Sequence, residues 1–438
     1  MLLCLEHRYY GGAAFDAVPS FQKEHLRFLS SRQALRDAVA FQSYAEQRLE
    51  LTGPWITFGG SYSGALAAWA RKLYPKSFFA AVSSSAPIQN QLHFKGYHDV
   101  VASNLASASL GGSVECLRIV ASGHRSASAA ALSPKRLRFG PFGGLRAWPK
   151  ALRVQVQALW PPGAGGCRQP GGLGGLRSGS AELRSAFSEG KRPFWTSSEL
   201  GFEAQAPRNS FLKRSEVIVS NQYNSDRCEV TSCNVRLLCG NLTEIRQKVE
   251  NDLDALMLMN DYQRQELVAK GTALSECQDV SWGHYLDGLK VTEKRSDSSN
   301  QMGLWTYQIC TEFGNFMTCE EGSNCPWTQG FLGMKLWFDM CDYAFGITKA
   351  EVEAKVAETN RHYGGTAFEA TRVVFTNGAA DPWHWLSVLV HPHQDVETLF
   401  VQGASHCQWM QAPWASMPEQ HRAVQLAIQN KIAQWLQA

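Results

Sequence analysis

Residues 55–64 read WITFGGSYSG and run directly into ALAAWARKLYP (65–75). β-prone residues lead into two glycines, then two serines, then a helix-forming stretch that Pro75 stops. A strand that turns straight into a helix through small residues can hold a side chain up at the end of a parallel sheet. The flanks agree with that architecture. LLCLEH (2–7) and FFAAVSSSAP (78–87) read as strands. SSRQALRDAVAFQSYAEQRLE (30–50) reads as a helix, with Ser30 and Gln33 spaced as a capping box and Leu35, Ala38 and Val39 on one face. Strands alternating with helices over 1–95 predict an α/β fold, a parallel sheet with helical crossovers.

A serine hydroxyl is a poor nucleophile until a base takes its proton, and the base needs an acid to orient it. Gly59-Gly60-Ser61-Tyr62-Ser63 fits the G-x-S-x-G elbow with serine in the last small position. That frame makes Ser61 the nucleophile and the Tyr62 backbone N–H an oxyanion donor at a helix N-terminus. A frame on Ser63, with Ala65 as its last small residue, would move the nucleophile into the helix, and Ser61 is preferred. The partners of such a serine follow in the order acid, then base. VVFTNGAADPWH ends a strand with a loop carrying Asp381, and TLFVQGASHCQWM ends another with a loop carrying His406. Asp-Pro alone is a common turn, and a loop histidine is common at any surface. In this order, each just past a strand, they point to a Ser61–Asp381–His406 triad. His384, His391 and His393 lie too close to Asp381, before the last strand, to be the base.

With 438 residues, 44% hydrophobic, the chain can build a large core or two domains. A net charge of +3 gives no reason to expect nucleic acid, and no apolar run nears the ~18 residues that span a bilayer. The start, MLLCLEHRYY, reads as neither signal peptide nor anchor. Twelve cysteines, among them Cys228, Cys233, Cys239, Cys310, Cys319 and Cys325, lack the paired spacing of a zinc site, so no metal or other cofactor is expected. Disulfides and an oxidising compartment fit better, as does the N-glycosylation signal at Asn241.

Residues 117–205 differ in kind. They are rich in Gly, Pro and Arg, show no helical or strand period, and lie in a stretch without aspartate from Val100 to Ser225. They read either as a disordered basic insert or as sequence foreign to the coding frame, such as a retained intron. Scattered arginines speak against a nucleic-acid tail. Beyond them LTEIRQKVENDLDALMLM (242–259) reads as a helix, ATRVVFTNG (370–378) and ETLFVQG (397–403) as strands. A closing helix over 419–437 puts Val424, Ile428, Ile432 and Trp435 on one stripe.

LEHRYYG (5–11), GGSYSGALAAWARKLYP (59–75), YQICTEFGNFMTCE (307–320), NGAADPWHWLSV (377–388) and GASHCQWM (403–410) together resemble one family of serine peptidases. It is the family of lysosomal Pro-X carboxypeptidase, dipeptidyl peptidase II and thymus-specific serine protease, and the resemblance covers residues 3–116 and 208–438. It implies an α/β-hydrolase core over 1–95 and 346–438, interrupted at 96–345 by a mainly helical, disulfide-containing cap. It also implies serine-type exopeptidase activity on short peptides, prolyl-directed in some members, and an endosomal, lysosomal or secreted location. A homodimer is a candidate assembly. Glu312 and Phe313 become candidate substrate contacts, and Cys310 and Cys319 structural, disulfide-bonded residues. In the family, further strands and a second oxyanion loop precede EHRYYG, so the resemblance also implies an uncovered sheet edge here. The alternative is an inactive truncated or splice form that at most binds peptides. A lipase or esterase on the same fold fits these motifs less well.

Overall fold

The computed structural model describes residues 1–10, 25–132, 224, 233–269, 282–290, 298–330, 332–413 and 415–437. Four short parallel strands form the sheet, in the order β1 (Ile56–Gly60), β2 (Ala80–Ser84), β3 (Val373–Gly378), β4 (Val396–Val401). Their registers pair Gly60 with Ser84, Ser84 with Thr376, and Gly378 with Val401. All four strands therefore end at one carboxyl edge, where open α/β sheets place their functional loops.

Alternation along the strands makes two cores. Ala81, Val373 and Phe375 face α1 (Ser31–Leu49) and α2 (Tyr62–Leu73), whose Leu35, Ala65, Ala68 and Trp69 fill that side. Trp69 lies flat on Tyr363, with ring centroids 3.8 Å apart. Ala80, Val82 and Val374 face the other way, toward Val424, Ile428 and Trp435 of the closing helix Glu419–Gln437. Residues buried on both faces explain why β2 and β3 read as unbroken small or apolar runs. The closing stripe is as the sequence predicts, with Ile432 half-buried at its edge.

Between β2 and β3 the chain is helical: α3 (Gly96–Ala106), α4 (Val114–Leu132), α5 (Val235–Lys248), α6 (Asp252–Ala269), α7 (Trp282–Leu289), α8 (Ser298–Gln308), α9 (Met334–Phe345) and α10 (Lys349–Tyr363). A wider π-helical turn, Ile309–Phe313, continues α8. Helices α3 to α6 share a core of Tyr97, Val101, Ile119, Leu238, Leu242 and Leu256, and the Cys116–Cys239 disulfide clamps α4 to α5. Cys310 is bonded to Cys341 and Cys319 to Cys325.

Several expectations change. Residues 2–7 form no strand: among the described residues no backbone pairs with them, and a strand exists only through its ladder. The irregular segment does not begin at 117: α4 runs to Leu132, with Ile119, Val120 and Ala127 buried. The rest of the 117–205 stretch, and Cys228, lie outside the described residues. The 242–259 helix is two helices. Val249 turns extended after α5, and the Asn251 side chain accepts from the Asp254 backbone N–H at 3.0 Å to start α6. At α1 Ser30 accepts from the Gln33 N–H as expected, but the Gln33 side chain turns to Asp37 and leaves the box half-closed. The complete capping box is at α10, between Thr348 and Glu351.

Candidate active site

Ser61 is the hinge residue between β1 and α2, with φ 59° and ψ −129°, a left-handed backbone that a residue with a Cβ rarely adopts. The turn is tight enough to dictate its neighbours. A Cβ on Gly59 would lie 2.0 Å from the Ser63 carbonyl oxygen, and one on Gly60 would lie 2.6 Å from the Met410 sulfur. Close backbone approach therefore requires glycine at Gly59, whereas at Gly60 the Met410 and Cys407 side chains would have to move aside. The Ser61 N–H donates to the Ser84 carbonyl at 2.8 Å, which anchors the elbow to the end of β2. Ser63 lies two residues on, exposed, with an ordinary place in the helix. Tyr62 is the first residue of α2, where backbone N–H groups have no intrahelical acceptor.

Asp381 stands just past β3 and is fully buried. Its carboxylate caps the short 3-10 helix Pro382–Leu386 by accepting from the Trp383 N–H at 2.9 Å. Both carboxylate oxygens also lie within hydrogen-bond reach of His406 Nδ1, at 2.9 and 3.0 Å. His406 follows β4 and is 8% exposed. Burial opposes a charge on its ring, yet the Asp381 carboxylate and its hydrogen bond prevail and raise the imidazole above its ordinary value. Holding Nδ1–H toward Asp381 makes Nε2 the basic nitrogen.

The His406 loop and the turn at Ser61 meet. Cys407, beside His406, packs its thiol near Gly60 and against the same Ser84 carbonyl that receives the Ser61 N–H. The sequence brings Ser61, Asp381 and His406 to this edge from three separate strand ends. Of the other histidines, His384 bonds through Nδ1 to the Asp381 backbone carbonyl at 2.7 Å, and burial lowers its basicity. His391 donates to the Phe368 carbonyl in the turn before β4.

Glu312 and Phe313 sit on the π-helical turn behind the elbow. The Glu312 carboxylate accepts from the Ser31 N–H and hydroxyl, capping α1 from a distant segment. Phe313 is 3% exposed and packs on Tyr62, Trp69 and Trp305. Sequence reasoning missed the hydroxyl of Tyr62, which receives the Gln308 amide at 3.1 Å and lies 3.1 Å from His7 Nε2. No short-range pattern announces it, since these partners lie 246 and 55 residues away from Tyr62. Asn241 is half-buried on α5, and the hydroxyl of its signal's Thr243 donates to the Cys239 carbonyl. Among the described residues no cluster of three or more His, Cys, Asp or Glu side chains could hold a metal ion. No described helix is long and apolar enough to cross a membrane.

The profile of the serine carboxypeptidase S28 family matches residues 1–136 and 198–427, so the unmatched stretch is narrower than its composition suggests. Thymus-specific serine protease of Homo sapiens is 32% identical over 443 aligned positions, which cover 100% of this chain and 74% of the relative. Lysosomal Pro-X carboxypeptidase of Bos taurus is 24% identical, over 87% of this chain and 64% of the relative. A protein of Arthroderma benhamiae named as a probable extracellular serine carboxypeptidase is 24% identical, over 86% of this chain and 48% of its own length. The inactive, peptide-binding alternative gains nothing from relatives that carry protease names. This chain belongs to the serine carboxypeptidase S28 family, and it is a serine-type peptidase on an α/β-hydrolase-type fold.

Proposed function

We propose that Ser61, Asp381 and His406 form the catalytic triad of an exopeptidase that cleaves short peptides. The buried pairing of Asp381 with His406 Nδ1 at 2.9 Å, at the sheet edge where Ser61 takes its left-handed turn, carries this reading. His406 Nε2 takes the Ser61 hydroxyl proton as Oγ attacks the scissile carbonyl carbon. The Tyr62 N–H donates to the oxyanion of the tetrahedral intermediate. His406 returns the proton to the leaving amine, and an acyl-enzyme remains on Ser61. A water molecule, deprotonated by His406, attacks that ester; the acyl–Oγ bond breaks, His406 returns the proton to Ser61 Oγ and the acid is released.

The helices over 96–345 act as a cap that narrows access, which favours chain ends over the middle of a folded protein. Glu312 and Phe313 support the site from behind, one fixing α1 and the other the Tyr62 ring. The names of the lysosomal and extracellular relatives support a lysosomal or secreted location, and one lysosomal relative's name supports cleavage after proline.

Short peptides with a proline next to either end, with and without blocked termini, test the reading. Wild type should release a terminal residue or dipeptide and lose this when that terminus is blocked, and Ser61→Ala should release nothing. Equal hydrolysis by Ser61→Ala would contradict the triad, and cleavage of doubly blocked peptides would contradict the exopeptidase mode.

A further inference from the structure

Three consecutive serines close β2, and each ties a different part of the candidate site. Ser83, Ser84 and Ser85 are all essentially fully buried. The Ser83 hydroxyl donates to the Gly64 carbonyl, in the first turn of α2, at 2.9 Å. The Ser84 carbonyl accepts the Ser61 N–H at 2.8 Å, while the Ser84 hydroxyl accepts Trp409 Nε1–H at 3.0 Å. The Ser85 hydroxyl accepts the Cys407 N–H at 3.0 Å, and the Ser85 N–H donates to the Thr376 carbonyl of β3 at 2.7 Å. One strand end thus holds the elbow on one side and the base loop on the other.

Backbone geometry singles out Ser85. It has φ 49° and Cys407 has φ 56°, two non-glycine residues in the left-handed region joined by one hydrogen bond. Such conformations persist where surrounding contacts over-determine them. The bond fixes the peptide that directly follows His406, and therefore where the imidazole stands relative to Ser61.

We propose that Ser85, assisted by Ser84, is a positioning residue that sets His406 against Ser61. The proposal rests on the reading of Ser61 as nucleophile and His406 as base. Ser85 touches neither the substrate nor the reacting atoms. It acts through the Cys407 amide, so its loss should slow the chemical step and leave binding alone.

Inactivation by a fluorophosphonate probe separates the two, because kinact reports attack by Ser61 and KI reports binding. Glycine tolerates the left-handed backbone, so Ser85→Gly removes the hydroxyl without adding strain. Its kinact should fall about 10- to 100-fold with KI within about twofold, the size of effect small misplacements produce. A cooperative melt near the wild-type temperature should accompany it. Trp409→Phe removes the bond to Ser84 together with part of a buried ring and should lower kinact by about threefold, a fraction of that effect. If Ser85→Gly does not fold, Ser85→Ala, which keeps the Cβ that the backbone already carries there and lacks only the hydroxyl, decides by the same criterion. Ser61→Ala serves as the control. Silence from Ser61→Ala with wild-type kinact in Ser85→Gly overturns the positioning role alone. Labelling of Ser61→Ala at the wild-type rate overturns the nucleophile, and the positioning role with it.

Discussion

The carboxyl edge of the sheet and the helices between β2 and β3 are held together by different means. Among the described residues, Cys116–Cys239, Cys310–Cys341 and Cys319–Cys325 all lie in the helical part. The sheet edge has no described disulfide, and Cys407 there is a free thiol. Its order comes from the strand ladder, from close backbone approach at Gly59, and from buried hydrogen bonds such as those at Ser84 and Asp381. Cross-links mainly restrict the unfolded chain, whereas ladders and buried hydrogen bonds fix atoms relative to one another in the folded one. The proposed site, which would hold a hydroxyl against an imidazole, needs the second kind of order. A helical segment proposed only to cover it can rely on the first.

The largest effects should appear on the sheet edge. Ser61→Ala should reduce peptidase kcat by about 10⁶-fold while the melting temperature stays close to wild type, measured by peptide hydrolysis and calorimetry. Asp381→Asn should lower kcat by about 10³- to 10⁴-fold. Its pH dependence has a definite sign. As the proposed base His406 must be unprotonated to act, so activity should rise with pH through its titration. Burial lowers its basicity, while Asp381 and, after it, Cys407 raise it, so removing the carboxylate leaves only Cys407 to oppose burial. The acid limb of kcat/KM should therefore move to lower pH in Asp381→Asn. A limb that stays in place would separate Asp381 from the base.

The helical part should respond in the opposite manner. Cys116→Ser with Cys239→Ser opens a link between residues 123 apart in sequence and should cost about 2–5 kcal/mol of stability. Melting temperature should fall clearly, with probe inactivation by the folded fraction near wild type. A comparable loss of kinact would mean that the two regions are not independent. The smallest effect is expected for Ser63→Ala: exposed and off the hinge, it should change activity by no more than about twofold.

What was legible in the sequence follows the same division. The elbow could be read because it is local: strand, glycines, serine and helix adjoin within twenty residues. Asp381 and His406 could be read because each follows a strand of Val, Phe and Thr by a few residues. Features made by distant segments could not. Ser85 meets the Cys407 amide across 322 residues, and SSSAP looks like an ordinary strand exit. Glu312 caps α1 from 281 residues away. LLCLEH has the residues of a strand but no ladder, and β pairing is not encoded in one segment alone. The later part of α4 was obscured by the small residues of ASGHRSASAAAL (121–132), of which Gly123 is buried against Leu256 of α6.

The central claim is that the turn after β1 presents Ser61 to a base oriented by Asp381. Labelling with a fluorophosphonate, digestion and tandem mass spectrometry locate the attacked atom directly. A single adduct on Ser61, much diminished in Asp381→Asn, is the predicted result. An adduct on Ser63, or undiminished labelling when Asp381 is replaced, would contradict it.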